Sequence, residues 1–233
     1  GCNSGTLPHT NDTNPSDIIV DLPLDEGPEL PSCSPGIDWA PGSAVFIERT
    51  KEWGLDGVLG AHLSITDIDG DGWPDLIVRT GGGQDDFSSD GGRNNWLLRN
   101  TGTGGFEDVT QSSAAFASRQ SADPLLGIGG RVVASGDVNN DGYMDLYVAR
   151  VRTDLNNTDS HPSEIMLNNG DGTYSLGPES SAARFQNEKS SPAGVSFVDF
   201  NRDGNLDLWI VHNELPGLIA MQDTLLQGDG TGA

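Results

Sequence analysis

Three stretches of this chain spell nearly the same thirteen residues, and that recurrence limits the fold more than any other feature. They are Thr66-Asp-Ile-Asp-Gly-Asp-Gly-Trp-Pro-Asp-Leu-Ile-Val78, Gly136-Asp-Val-Asn-Asn-Asp-Gly-Tyr-Met-Asp-Leu-Tyr-Val148 and Val198-Asp-Phe-Asn-Arg-Asp-Gly-Asn-Leu-Asp-Leu-Trp-Ile210. Their first aspartates, Asp67, Asp137 and Asp199, stand 70 and 62 residues apart. A second motif alternates with the first. It reads Leu97-Leu-Arg-Asn-Thr-Gly-Thr-Gly-Gly-Phe106, then Met166-Leu-Asn-Asn-Gly-Asp-Gly-Thr-Tyr174, then a truncated Leu225-Leu-Gln-Gly-Asp-Gly-Thr231. A repeat of this length is a supersecondary unit that buries its apolar face against its neighbours, as in propellers and solenoids.

Within each repeat the apolar residues come in short runs separated by turn residues, which predicts strands. First strands are expected at 61–66, 131–135 and 194–198. Second strands follow the Asp loops at 75–79, 145–151 and 207–211. Third strands carry the Leu-Leu or Met-Leu pair at 95–99, 164–167 and 224–227. Fourth strands follow the Gly-rich turns at 106–109 and 174–176. Helical spacing is absent, and the 32 Gly and 13 Pro fit a chain of turns and strands. The expected class is all-β.

The Asp loops have the chemistry of cation sites. Asp67, Asp69, Asp71, Trp73 and Asp75 occupy positions 1, 3, 5, 7 and 9 of the first loop. The second loop places Asp137, Asn139, Asp141, Tyr143 and Asp145 there, and the third Asp199, Asn201, Asp203, Asn205 and Asp207. Alternate side chains converge when the backbone curls about a point. Glycine at position 6 permits the curl, and the carbonyl of position 7 adds an oxygen. Several carboxylates with flexible geometry suit Ca²⁺ better than Mg²⁺, and three loops imply about three ions. An EF-hand is excluded, since position 12 is Val78, Val148 or Ile210 rather than Glu and the flanks read as strands.

The loops, with the interleaved Gly-Asp-Gly-Thr turns, resemble the FG-GAP/VCBS repeat family, related to the N-terminal propeller of integrin α subunits. The resemblance spans residues 44–233. No Phe-Gly…Gly-Ala-Pro signature precedes the loops, so the VCBS branch is the better match. It implies a β-propeller of four-stranded blades, with a calcium loop between the first two strands of each and ligands at the positions just named. It also implies a secreted or cell-surface protein with a role in adhesion or as an accessory domain. Two full units and a third that stops after its third strand give a partial ring of about 3–4 blades. The stretch Val45-Phe-Ile-Glu-Arg-Thr50 matches the fourth strand at Phe106 and is expected to complete a last blade. Either missing C-terminal blades of a longer chain or a partner chain would then close the ring.

Residues 1–43 form a Pro-, Asn-, Asp- and Thr-rich arm too polar to bury a core of its own. Cys2 and Cys33 both lie in it. A Cys2–Cys33 disulfide is the expected state, and it needs an oxidising compartment. A lipid anchor on Cys2, or two free thiols, are the alternatives; Gly1 ahead of Cys2 speaks against the anchor.

The net charge of −23 excludes a general nucleic-acid binder. No apolar run approaches the length of a transmembrane helix. Of the 35 acids, 26 are Asp, the residue of turns and hard-cation loops. A catalytic constellation is not legible. His9, His62, His161 and His212 have no zinc spacing, there is no Gly-x-Ser-x-Gly elbow, and Gly127-Ile-Gly-Gly130 lacks the lysine of a phosphate loop. The loop around Gly81-Gly-Gly-Gln-Asp-Asp86 offers a polar surface. Trp73, Trp96 and Trp209 are candidates for stacking on sugars, with Trp96 and Trp209 expected in the core. Asn11 and Asn156 head glycosylation sequons. The expected function is a non-catalytic extracellular module binding a protein or glycan partner, with an accessory carbohydrate-binding domain of a larger enzyme as the alternative.

Overall fold

The computed structural model describes residues 46–80, 94–119, 130–152, 161–185, 190–213 and 222–232. The arm with its two cysteines, both sequons and residues 81–93 lie outside the described residues. The chain divides into two units, Gly1–Glu48 and Arg49–Ala233, and every strand among the described residues lies in the second.

Among the described residues eleven strands build three antiparallel sheets. The first blade is β1 (His62–Thr66), β2 (Asp75–Arg79), β3 (Asn95–Asn100) and β4 (Phe106–Asp108), paired in that order. The second is β5 (Val132–Gly136), β6 (Asp145–Ala149), β7 (Glu164–Asn168) and β8 (Tyr174–Leu176). The third is β9 (Pro192–Val198), β10 (Asp207–His212) and β11 (Thr224–Leu226). The sequence places every one of these strands to within two residues at either end, the largest differences being at β6, which ends at Ala149 and not 151, and β9, which begins at Pro192 and not 194. Residues 46–49 join no sheet among the described residues, and the blade that the stretch from Val45 to Thr50 is expected to complete draws its other strands from outside this sequence. One expectation fails. Single helical turns, α1 (Thr110–Ser113) and a 3₁₀ turn at Ala182–Arg184, follow the fourth strands. They are too short to leave a helical period in the sequence.

The same register recurs in each blade. Thr66 pairs with Asp75, Gly136 with Asp145 and Val198 with Asp207, so every Asp loop spans one hairpin end. Strand alternation then sends neighbours to opposite faces. Ile77 and Leu97 face the second blade and meet Val133, Leu146, Val148 and Met166 in one cluster. Tyr147, Ile165 and Val138 face the third and meet Leu208 and Ile210. These side chains are almost fully buried, each contributing about 1.5–3 kcal/mol relative to exposure. The first strands approach one another: Ser64 Oγ donates to the Val133 carbonyl at 2.9 Å. A Cβ on Gly136 would stand 2.9 Å from Phe197 and from Leu206, so glycine lets the third blade close on the second. Among the described residues the three blades form no closed ring.

Candidate metal centre

All three Asp loops adopt one hydrogen-bonded frame. The position-1 carboxylate accepts the amide of the position-6 glycine, at 2.8 Å for Gly72 to Asp67, 2.9 Å for Gly142 to Asp137 and 3.0 Å for Gly204 to Asp199. The position-5 carboxylate accepts the position-7 amide: Trp73 to Asp71 at 2.8 Å, Tyr143 to Asp141 at 2.9 Å, Asn205 to Asp203 at 2.9 Å. Position 3 accepts the amide of position 5, at 3.3, 3.1 and 2.9 Å onto Asp69, Asn139 and Asn201. The curl needs left-handed backbone at position 6, with φ of 85° at Gly72, 90° at Gly142 and 88° at Gly204. It needs it at position 4 too, where Gly70, Asn140 and Arg202 stand at 74°, 59° and 61°.

In the first loop this curl gathers one carboxylate oxygen from each of Asp67, Asp69 and Asp71 within 4.8 Å of the others. That is the donor set of a hard divalent cation, whose oxygens sit at about 2.3–2.6 Å from the ion. Among the described residues it is the one such set of three acidic, His or Cys side chains. The other loops carry Asn139 and Asn201 at position 3, each donating its amide to the position-5 carboxylate at 2.8 Å. Two carboxylates and an amide oxygen per loop keep an all-oxygen set of lower charge. In the third loop the backbone amide of Asn205 holds the Asp203 carboxyl below its ordinary pKa.

Position 9 is built differently. Asp75, Asp145 and Asp207 have no exposed surface. One oxygen of each accepts the amide of position 2: Ile68 at 2.8 Å, Val138 at 3.0 Å, Phe200 at 3.0 Å. The other accepts an amide just beyond the third strand's apolar pair: Asn100 at 2.6 Å, Asn168 at 2.8 Å, Gly228 at 2.8 Å. Each position-9 carboxylate thus pins its loop to the third strand. Burial raises the pKa of Asp75, and that of Asp145 to about 6, against the pull of these amides.

The second motif is the seat for the first. Asn100 and Asn168 donate their side-chain amides to the carbonyls of Pro74 (3.2 Å) and Met144 (3.1 Å), and accept from Gly102 (3.0 Å) and Gly170 (2.9 Å). The position-7 side chain lies on a glycine of the adjoining turn. A Cβ on Gly102 would meet Trp73 at 2.7 Å, on Gly170 Tyr143 at 2.6 Å, and on Gly230 Asn205 at 2.2 Å. Sequence reasoning gave these asparagines no role: Asn100 stands two residues beyond the Leu97-Leu98 pair and Asn168 one beyond Met166-Leu167, so aligning the pairs does not align the asparagines. Trp73 and Tyr143 remain part-exposed at the blade end.

The other candidates fall as follows. Trp96 is buried as expected, but Trp209 is 46% exposed although it lies on a strand, which corrects the expectation that it packs in the core. His62 is exposed on β1, and burial with the nearby Arg79 and Arg131 lowers its pKa. His161 is buried against the Ser118 hydroxyl at 2.6 Å, and His212 lies edge-on to Phe185. None of these three is grouped with two further acidic, His or Cys ligands among the described residues. Among the described residues no helix is long and apolar enough to cross a membrane.

No curated protein matches the chain. A solved structure described as that of an Agrocybe aegerita lectin, with specific recognition of non-reducing terminal N-acetylglucosamine, is similar at 18% identity and a TM-score of 0.37. The match covers 74% of this chain and 39% of that one. The model of the FG-GAP-like repeat matches residues 67–148 and 150–210, taking in all three Asp loops. With more than half of its length matched and the loop repeated in each blade, the chain belongs to the FG-GAP-like repeat family.

Proposed function

We propose that this protein is a non-catalytic, calcium-stabilised blade array that works outside the cell as an interaction module. The observation that carries the reading is the convergence of Asp67, Asp69 and Asp71 oxygens within 4.8 Å. Carboxylates held that close repel, and a bound cation removes the repulsion; at about 4 Å a pair of unit charges costs roughly 4 kcal/mol at an effective dielectric near 20. Asp137 with Asp141, and Asp199 with Asp203, would hold the second and third ions, joined by the oxygens of Asn139 and Asn201. The position-7 carbonyls of Trp73, Tyr143 and Asn205 are the further expected ligands. Asp75, Asp145 and Asp207 keep free lone pairs for an ion beside the amides that they already accept. When bound, Ca²⁺ supplies charge neutralisation and a rigid loop. Millimolar extracellular calcium suits weak sites of this kind.

The interaction partner is a protein or a glycan. Trp73 and Tyr143, part-exposed at equivalent places on adjacent blades, favour an accessory carbohydrate-binding role as the second reading. Isothermal titration of the metal-free chain with Ca²⁺ tests the calcium reading, with about three ions expected. Folded protein that takes up no Ca²⁺ overturns it.

A further inference from the structure

The joint between the first two blades holds, at its end away from the Asp loops, a charged group that the fold leaves unsatisfied. β1 starts at His62 and β2 ends at Arg79, and the two residues pair, so both stand at the far end of the hairpin from Asp67 and Asp75. Arg131 stands at the same end of the second blade, just before β5, with its amide bonded to the Ala149 carbonyl at 2.7 Å. Strand alternation puts Arg79 on the face of Ile77, which packs against the second blade. There its Nη1 donates to the carbonyl of Gly130, the residue before Arg131. His62 shares its face of β1 with Ser64, which bonds the Val133 carbonyl across the same joint at 2.9 Å.

Arg79 is 1% exposed, and its Nε has no hydrogen-bond partner among the described residues. Burial alone acts on it and lowers its pKa to about 10, with no acid pulling the other way. Two other fully buried arginines are served differently. Arg184 grips the Glu164 carboxylate, and Arg150 donates to the carbonyls of Phe116, Ala117 and Pro162 within the field of Glu164. The neighbours of Arg79 add to its burden. Arg131 is half-buried, and His62 has its pKa lowered first by burial and then by the charges of Arg79 and Arg131. A buried cation with a free N–H, crowded by further cations, is costly to keep, all the more so in a chain with 35 acids to 12 Lys and Arg. An anion removes that cost. It takes the free Nε–H, and the planar guanidinium is shaped for the paired oxygens of an oxyanion. His62 at the rim is exposed, so solvent reaches the cluster.

We propose that Arg79, Arg131 and His62 form a binding site for a small oxyanion, the carboxylate or sulfate group of a free ion or of an acidic sugar. The occupant is small because a single buried guanidinium anchors it, and because a chain of net charge −23 repels polyanions. The site belongs to a joint whose two blades are both described, at the opposite end of the blades from the Asp loops. It therefore depends neither on calcium occupancy nor on what adjoins the outer faces of the array.

Isothermal titration of the full chain with sodium sulfate and with sodium glucuronate reads the site. Ionic strength is held constant with sodium chloride, and glucose is the neutral control. Saturable binding of one anion per chain, with a Kd of about a millimolar or tighter, is expected for at least one of the two, and none for glucose. Sulfate without glucuronate identifies a free-ion site, and glucuronate an acidic-sugar site; both sustain the proposal. Arg79→Met keeps the apolar stem and removes the charge, and should weaken the anion by roughly tenfold or more. Arg131→Ala, at a half-buried place, should also weaken it by roughly tenfold, and keeps the test decisive if Arg79→Met fails to fold. Arg49→Ala, which removes an exposed arginine paired with Glu52, should leave binding unchanged. A loss in Arg49→Ala as great as in Arg131→Ala shows general charge attraction and overturns the site. So does wild-type protein that binds neither anion, and so do folded Arg79→Met and Arg131→Ala proteins that bind as wild type does. Anion binding by a chain that takes up no Ca²⁺ sustains the site and sinks only the calcium reading, so the two failures are distinct.

Discussion

The buried carboxylate at position 9 shows how one side chain can serve both a loop and a strand. Asp145 offers an oxygen to Val138 within its own loop and the other to Asn168 in β7, and has no exposed surface. Replacing it with alanine orphans two buried N–H groups, each costing about 1–3 kcal/mol, while the lost burial penalty of the charge offsets part of that. Asp145→Ala should therefore destabilise the protein by roughly 2–4 kcal/mol in chelator as well as in calcium. Urea unfolding in the two buffers checks this; a loss confined to calcium would mean that the residue acts only as a ligand. The regular recurrence of aspartate at this position was plain in the sequence. Its second partner was not, because Asn168 lies 23 residues away and meets it only once the hairpin has folded. Arg202 was equally hidden: nothing in its chemistry announces a left-handed backbone, and only alignment with Gly70 and Asn140 would have pointed there.

Strands were legible because their apolar residues alternate and their hairpins end in loops of fixed spacing. What ties one element to the next was not. Glu164 opens β7 fully buried, and takes both the Nε of Arg184, at 2.9 Å, and its Nη2, at 3.1 Å. Arg119, just past α1, adds a bond at 2.6 Å to the same carboxylate. Arg184 closes the 3₁₀ turn and Arg119 stands six residues past α1, and segments this short carry no period to reveal them. Arg150 is buried nearby and donates to the carbonyls of Phe116, Ala117 and Pro162, its pKa lowered to about 10 by burial. Removing Glu164 leaves the buried Arg184 only the exposed Glu179 carboxylate, 4.0 Å away, so Glu164→Ala should cost about 3–5 kcal/mol. Equilibrium denaturation measures it, and a loss under 1 kcal/mol would show that water replaces the carboxylate.

For the whole molecule, charge decides how the blades respond to calcium. The formal charge is −23, and ten of the aspartates stand in the three loops. The hydrogen bonds of the loops are local and made within the chain, and the repulsion among the carboxylates opposes them. Asp71 is exposed and Asp67 and Asp69 are half-buried, so water screens part of this, and the larger effect is mass action. A ligand that binds only the folded form adds about 2.7 kcal/mol per site at a hundredfold excess over Kd. For a chain of this size each kcal/mol moves the melting temperature by about 2–4 °C, so each filled site should raise it by roughly 5–10 °C. Each loop is pinned through its position-9 carboxylate to a third strand whose side chains fill an inter-blade joint, so loosening one loop should loosen two blades together. Calcium should therefore raise the melting temperature of a single cooperative transition. Chelator should reverse the shift, and added salt should narrow the gap by screening the same carboxylates. Scanning calorimetry in chelator, in millimolar calcium and in calcium with high salt makes the comparison, and identical melting in the first two would sink the view that calcium holds the blades together.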